Sequence, residues 1–470
     1  MSLKTLDIHK IIDKYLPVRI KEKNKSGEVF TPRILINEML DKLPTDVWKN
    51  KDLRWLDPAN GIGNFPLLVY ERLMKGLQDT ITDDDNRHDH IIKNMLFMVE
   101  LNERNYKISR EIFGGDANIY LGSFLDDGWY KEFNVEHFDI ICGNPPYNSG
   151  GVHSSKKGTV QSGLKTIWGF FVSVSLDKLK KDGYLLFIHP LSWFNLGSGI
   201  SKRMIEKQII YIKSYTSSAS CSLFGGKTAQ IPIAYYLLKN TNTRLDTKIY
   251  EYVNDCYTDF NIYKYNFIPN TIAGLIKKVL IKTNGNSISK YVLNTQHKDS
   301  SLFNDTRNNE YKYPLIRYCN HKITLSYSKK CYRHHNNKQK LIMPNFSMGF
   351  PILDINGLLD TGGSNNFCIT TDDTDKLKKI QKLLLTPLSL TIIQNTKTSM
   401  DFMDKRIFDI LPDPVNIDFD IFDKNKLYEY FNLSQNEINI IINQENCNRR
   451  NLTKEQLRVI LEFDIYNYLG

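Results

Sequence analysis

The segment Asn144-Pro145-Pro146-Tyr147 carries the sharpest chemical content in the chain. Two consecutive prolines restrict φ and push the residue before them toward extended backbone. A loop stiffened in this way lets the Asn144 amide and the Pro145 carbonyl point together into one pocket. Both offer oxygen acceptors to an exocyclic amino group, and Tyr147 adds a flat face for a base. A second segment runs from Asp57 through Pro58, Ala59, Asn60, Gly61, Ile62, Gly63 and Asn64 to Phe65. Its two glycines allow a tight turn and let backbone pass close to a ligand. With Asp57 ahead of them, a strand before and a helix after, the loop reads as a seat for a nucleotide-like ligand. A tight turn with no ligand uses the same residues, and on this segment alone it stays open. Glu100 ends the next apolar run, where a carboxylate can accept both ribose hydroxyl hydrogens. An acid at a helix N-terminus fits Glu100 equally.

The elements that must hold these residues alternate between short apolar runs and helical patterns, as in an α/β sheet with helices on both faces. Strands are expected at 53–56, 96–99, 118–121, 138–142 and 184–188, and helices at 66–74, 105–113 and 168–179, the last closed by Asp182-Gly183. Two inserts interrupt the pattern. Residues 78–94 are acidic and His-bearing and read as a solvated loop; residues 149–163 are rich in Gly, Ser and Lys. Beyond about Asn240 the apolar runs become short and irregular, which sets a domain boundary there. Pro412-Asp413-Pro414 is a second break. Apolar residues at helical spacing then predict helices over 425–443 and 453–469. The expected division is 1–240, 241–412 and a helical tail at 413–470.

The chain has 470 residues and a formal net charge of +10. Hydrophobic residues make up 41%, enough for ordinary globular cores. No apolar run approaches the ~18 residues of a membrane span, and the first 16 residues lack the pattern of a signal peptide. Seven scattered cysteines fit reduced thiols in a cytoplasmic compartment. The excess of cations is uneven: residues 147–176, 207–245 and 311–353 contain no Asp or Glu. The last stretch interleaves cations with Tyr318, Tyr327 and Tyr332, which suits a phosphate backbone; a solvated basic surface is the plainer alternative. Cys319, His321, Cys331, His334 and His335 have a permissive zinc spacing, but they read better as part of this basic loop, and no metal is expected.

The chemistry-bearing segments together resemble the gamma class of N6-adenine DNA methyltransferases of type II and type IIG restriction–modification systems. Gly27-Glu28-Val29-Phe30-Thr31-Pro32 looks like that family's N-terminal cofactor motif, Asp57 to Phe65 its glycine loop, Glu100 its ribose acid and Asn144 to Tyr147 its catalytic motif. The segment with Leu223-Phe224-Gly225-Gly226-Lys227 is similar to the one whose aromatic packs on the flipped base, a role the resemblance carries to Phe224. Leu341-Ile342-Met343-Pro344, Phe367-Cys368-Ile369-Thr370 and 403–414 look like a target-recognition domain. The resemblance implies a Rossmann-like methyltransferase sheet with helices on both faces, an α+β recognition domain and a C-terminal helical tail. It implies S-adenosylmethionine as cofactor, held by Phe30, Thr31, Pro32, Asp57, Ala59, Asn60, Gly61, Gly63, Glu100, Ser123, Phe124 and Asn144. Catalysis falls to Asn144, Pro145, Tyr147 and Phe224. Double-stranded DNA is the implied partner, met by Lys156, Lys157, Lys227, Arg317, Lys322, Lys329, Lys330 and Arg333; no obligate protein partner is evident. Two residues depart from the family. Ser123 stands where an Asp usually binds the cofactor's adenine amine, with Asp116 and Asp126 as substitutes nearby. Asn60 stands where Cys is common.

Three other readings compete. The same Asn-Pro-Pro-Tyr motif serves enzymes that methylate RNA or protein glutamine, but those lack the N-terminal motif joined to a long recognition domain. A DNA-binding module with a dead cofactor site conflicts with the intact Asp57, Gly61, Gly63, Glu100 and Asn144. A fused nuclease finds no Pro-Asp partner for Glu310-Tyr311-Lys312.

Overall fold

In the computed structural model, the described residues are 31–148, 166–196, 199–224, 231–252, 254–295, 303–319, 323–329, 338–345, 349–360, 366–396, 403, 405–447 and 453–467. They fall into two compact units, Met1–Lys248 with Asn261–Asn266, and Ile249–Phe260 with Phe267–Gly470.

Seven strands of the main sheet lie in the first unit: β1 (Trp55–Asp57), β2 (Leu96–Glu100), β3 (Asn118–Leu121), β4 (Phe138–Gly143), β5 (Leu179–Pro190), β6 (Gln208–Tyr215) and β7 (Ile233–Lys239). Their order is β3-β2-β1-β4-β5-β7-β6. Neighbours from β3 across to β5 are parallel, and β7 is antiparallel to both β5 and β6. This is a Rossmann-like sheet. Its order reverses at β1, which has β2 on one side and β4 on the other, with Leu56 opposite both Phe97 and Ile141. In a parallel sheet that switch point opens a crevice at the carboxyl ends of the strands.

Both faces are covered, as the unbroken burial of β2 requires. Successive side chains of a strand point to opposite faces. Leu96 and Met98 join a cluster with Leu35, Ile36 and Met39 of helix α1 (Arg33–Leu40), Leu68 and Leu73 of α2 (Asn64–Gly76), and Ile108 and Ile112 of the helix Glu103–Phe113. Phe97 meets Phe133 and Phe138 edge-on, in an aromatic group that also includes Trp129. Phe171, from the helix Trp168–Lys178, stacks on Phe124.

Residues 78–94 are not the solvated loop expected. They form the helix Asp84–His90, followed by a π-helical turn, Ile91–Met95. Asp83 caps the helix by accepting from Asn86 N. Arg87 is buried and donates to the Ile81 and Thr82 carbonyls and to Asp84. The charge pattern is misleading because one buried guanidinium, bonded through both terminal nitrogens, ties the acidic segment down, while Ile91, Ile92 and Met95 enter the core. Asp182-Gly183 does not close the preceding helix either. It lies within β5, with Asp182 at φ 64° and its N–H donating to Asn240 O.

The second unit holds a four-stranded antiparallel sheet, in the order Val292–Thr295, Asn366–Thr370, Lys340–Pro344, Ile352–Asp354. A three-stranded antiparallel sheet has Ile323–Ser328 between Phe303–Asn304 and Tyr313–Cys319. The expected single helix over 425–443 is two, Lys424–Tyr430 and Gln435–Cys447. The break is at Asn432, whose φ of 52° ends the first, and at Ser434, whose N–H and hydroxyl donate to Glu437 and start the second. Ile460 and Ile465 of the C-terminal segment join one core cluster with Ile316, Ile342, Phe350 and Ile352.

Candidate active site

The glycine loop leaves β1 and enters α2. Gly63 precedes α2 in the left-handed region at φ 98°, and a Cβ there would lie 2.4 Å from the Phe113 ring, so only glycine fits on both counts. Asn60 N donates to Val99 O at 3.0 Å, and Asn60 Nδ2 to the buried Ser109 hydroxyl at 2.7 Å. Glu100 closes the loop from β2. Its carboxylate accepts from Gly61 N at 2.6 Å and from Asn102 N at 2.7 Å. Asp57 is buried at the end of β1 and accepts from Ala59 N at 3.0 Å. Burial pushes its carboxyl up to about 8, against the pull of the Ala59 N–H; the Glu100 charge adds to the rise. A Cβ on Gly143 would sit 2.9 Å from Asp57 Oδ1, so β4 passes close to this acid only because that residue is glycine.

Asn144 follows β4 on the other side of the switch point. Its Nδ2 donates to Thr31 Oγ1 at 3.1 Å. Its Oδ1 is buried with no hydrogen-bond partner among the described residues. Leaving such an acceptor unpaired costs about 1–3 kcal/mol, which marks it as a group kept for something other than stability. Pro145 is buried and Pro146 exposed. Tyr147 accepts from Ile167 N through its carbonyl at 3.0 Å, and its ring packs against the core cluster that contains Phe224. The Tyr147 hydroxyl is also buried without a partner, and burial pushes its pKa up. Phe224 is 3% exposed and follows the helix Ser217–Leu223.

Ser123 lies just beyond β3, where its hydroxyl accepts from Leu125 N at 3.1 Å. Phe124 is buried against Trp129 and Phe171. Asp116 precedes β3, so it sits at the opposite edge of the sheet, paired with Lys93 at 3.4 Å. Among the two acids weighed as substitutes for the missing Asp, only Asp126 follows β3. Two contributors, Ser109 and Leu101, escaped sequence reasoning, as did the bond that Thr31, expected only at the cofactor, makes to Asn144. Thr31 meets Asn144 across 113 positions, and Ser109 meets Asn60 across 49, separations that no local pattern signals. Leu101, next to Glu100, is 74% exposed, an apolar face that only a structure reveals.

Phe30, Lys156, Lys157, Lys227, Lys322, Lys330 and Arg333 lie outside the described residues, as do His321, Cys331, His334 and His335. Arg317 pairs with Asp305, and Lys329 with Glu310 at 2.5 Å; both pairs are solvent-exposed. Cys319 is 1% exposed and burial pushes its thiol up to about 12, which opposes the thiolate that zinc requires.

Residues 69–221 match the model of the Eco57I restriction-modification methylase family. An uncharacterized adenine-specific methylase of Mycoplasma pneumoniae is 26% identical over 304 residues, covering 47% of this chain and 70% of that protein. A putative type II restriction enzyme and methyltransferase of Methanocaldococcus jannaschii is 26% identical over 250 residues; the match covers 46% of this chain but only 20% of that much longer protein. Among solved structures, a type IIL restriction-modification enzyme in complex with DNA is similar at a TM-score of 0.45 and 14% identity, over 83% of this chain and 68% of that one. The matched segment runs from the helix α2 to the helix Ser217–Leu223, and over it the chain is similar to restriction-modification methylases.

Proposed function

We propose that the protein transfers the methyl group of S-adenosylmethionine to the N6 amine of an adenine extruded from duplex DNA, at a specific sequence. The observation that carries this reading is Asn144 Oδ1: a buried, unpartnered acceptor at the switch point, across from the glycine loop. The residues beside it fit the cofactor. Asp57 and Glu100 lie at the carboxyl edge of β1 and β2, where burial and then the Glu100 charge disfavour ionised Asp57, and a ligand carrying sulfonium and ammonium charges would favour that ionised form. Leu101 offers an apolar face for an adenine ring, and Ser123 a hydroxyl in place of the family's Asp. When bound, S-adenosylmethionine supplies an electrophilic methyl group.

This chain's own residues do the rest. Asn144 Oδ1 and the Pro145 carbonyl accept the two N–H bonds of the target amine. That favours a pyramidal nitrogen and frees a lone pair otherwise delocalised into the ring. No strong base is needed, since the amine sheds its proton after attack, so positioning supplies much of the rate. A base inside a duplex is out of reach and must flip out. Tyr147 and Phe224 would stack on it, worth roughly 1–3 kcal/mol per face. Residues 241–412 would recognise the site and the basic stretch around 311–340 would follow the phosphates.

The test is direct. DNA from cells producing the protein is sequenced for modified bases, beside cells producing Asn144→Ala. N6-methyladenine at one recurring sequence, absent with the variant, supports the proposal. Unmodified DNA, with labelled methyl groups recovered in RNA or protein instead, defeats it.

A further inference from the structure

An amide side chain has two orientations, related by a half-turn, that exchange an acceptor for a donor. At Asn144 only one suits an amine. With Oδ1 toward the base, the amide accepts from the exocyclic N–H; with Nδ2 there, two donors face each other. Neither the loop nor the prolines decides between them, because both act on the backbone. Among the described residues the Asn144 side chain is hydrogen-bonded to Thr31, whose hydroxyl accepts from Nδ2 at 3.1 Å and leaves Oδ1 turned the other way.

Thr31 is itself held in place. It is 6% exposed and precedes Pro32, whose carbonyl accepts the first bond of α1, from Ile36 N at 3.0 Å. That helix is fastened at three points. Arg33 pairs with Glu71 at 3.3 Å. Asn37 accepts from Arg72 at 3.0 Å. Glu38 Oε1 accepts from Lys213 Nζ at 2.6 Å and from Tyr235 Oη at 2.8 Å. Two of these partners, Glu71 and Arg72, lie on α2, the helix that leaves the glycine loop. Leu35, Ile36, Met39 and Leu40 bury the inner side of α1. A hydroxyl on so constrained a segment can determine the orientation of a neighbour instead of following it.

We propose that Thr31 is a positioning residue: its hydroxyl fixes which way round the Asn144 amide lies, and so makes the site accept a base bearing an amine at position 6 and refuse one bearing a carbonyl there. A threonine hydroxyl can also donate, and would then hold the reversed amide. The present orientation therefore implies that the Thr31 proton is used elsewhere, and an anionic group of the bound cofactor is a suitable acceptor. This inference rests on the adenine reading above.

The experiment measures equilibrium binding of duplexes carrying the protein's own methylated sequence, with adenine or hypoxanthine at the target position. The full chain is used with S-adenosylhomocysteine present, so no turnover is needed. Hypoxanthine also weakens the base pair and flips more readily, but that bias is common to every protein compared. The wild type should prefer adenine relative to that baseline. Thr31→Val, equal in shape but without the hydroxyl, should lose about 10-fold of the preference, the amide now free to turn and donate to O6. Thr31→Ser should restore it. Melting curves confirm that each variant is folded, and Thr31→Ala replaces the valine variant if that one is not. An unchanged preference in a folded hydroxyl-free variant overturns the inference while leaving the adenine chemistry intact. A wild type that methylates no adenine overturns the earlier proposal instead.

Discussion

Asp57 is an acid that the fold keeps protonated at neutral pH. It ionises near 3.8 when exposed and near 8 when buried here. Between those values the folded chain holds a proton that the unfolded chain has released. The contribution to stability is therefore complete at low pH and is lost as pH rises through about 8. A bound cation favours the ionised form, so cofactor affinity should rise with pH over the same range. Asp57→Asn should flatten both trends, which melting curves and calorimetric titrations from pH 5 to 9 would read; slopes equal to those of the wild type would remove Asp57 from the site. Asn144→Ala should lower turnover by about 10²–10³-fold, the scale of losing one positioned polar group in a transition state, with cofactor affinity almost unchanged in the same titration. Both residues were legible in the sequence because glycines and prolines crowd their neighbours. Thr31 was legible only as a cofactor residue: its bond to Asn144 joins two segments whose spacing carries no periodic signal.

Phe224 shows the limit at the level of elements. The resemblance gives its ring a stacking role, and burial at 3% is compatible with that role and with a place in the core, since the cluster around it also receives Tyr147. Phe224→Ala should cost about 3–5 kcal/mol if the ring is a core filler. A variant that melts near the wild type but turns over more slowly, with altered 2-aminopurine fluorescence at the target, would assign the ring to the base. Strands were the most legible elements, because β2 and β4 are short apolar runs that end in a chemical residue. The helix Asp84–His90 was not, because its anchoring residue is a charged Arg87 whose partners, Ile81 O and Thr82 O, are carbonyls that no sequence displays. The break at Asn432 was missed for a related reason: apolar spacing continued through it, while the left-handed residue that stops the helix occupies a single position.

The first unit does not end with β7. Asn261–Asn266 belongs to it, and Tyr263 donates to Lys207 O at 2.9 Å and accepts from Ile209 N at 2.7 Å beside β6. A fragment ending at residue 266 should thus bind S-adenosylmethionine yet lose sequence-specific DNA affinity, by about 10³-fold or more if only salt-sensitive phosphate contacts remain. Binding measured at two salt concentrations, on cognate and scrambled duplexes, checks this; retained discrimination would place recognition within the first 266 residues. Little of the second unit's arrangement could be foreseen, since its strands are short and pair with partners remote in sequence, as Val292–Thr295 does with Asn366–Thr370.

The fastening of α1 has a further consequence, in time. Glu38 waits for Lys213, 175 positions later, and for Tyr235, 197 positions later. A chain leaving the ribosome at about 5–20 residues per second therefore spends roughly 10–40 s with its first helix made and its clasp not yet synthesised. During that interval β1 to β4 can pair and Glu71 and Arg72 can engage α1, but the third fastening behind Thr31 is still missing. Nascent chains arrested before β7 should show sheet structure by protease resistance without retaining cofactor, and chains arrested beyond it should retain both. Competence at the site is then among the last properties the first unit acquires, although the residues that begin it are among the first to be made.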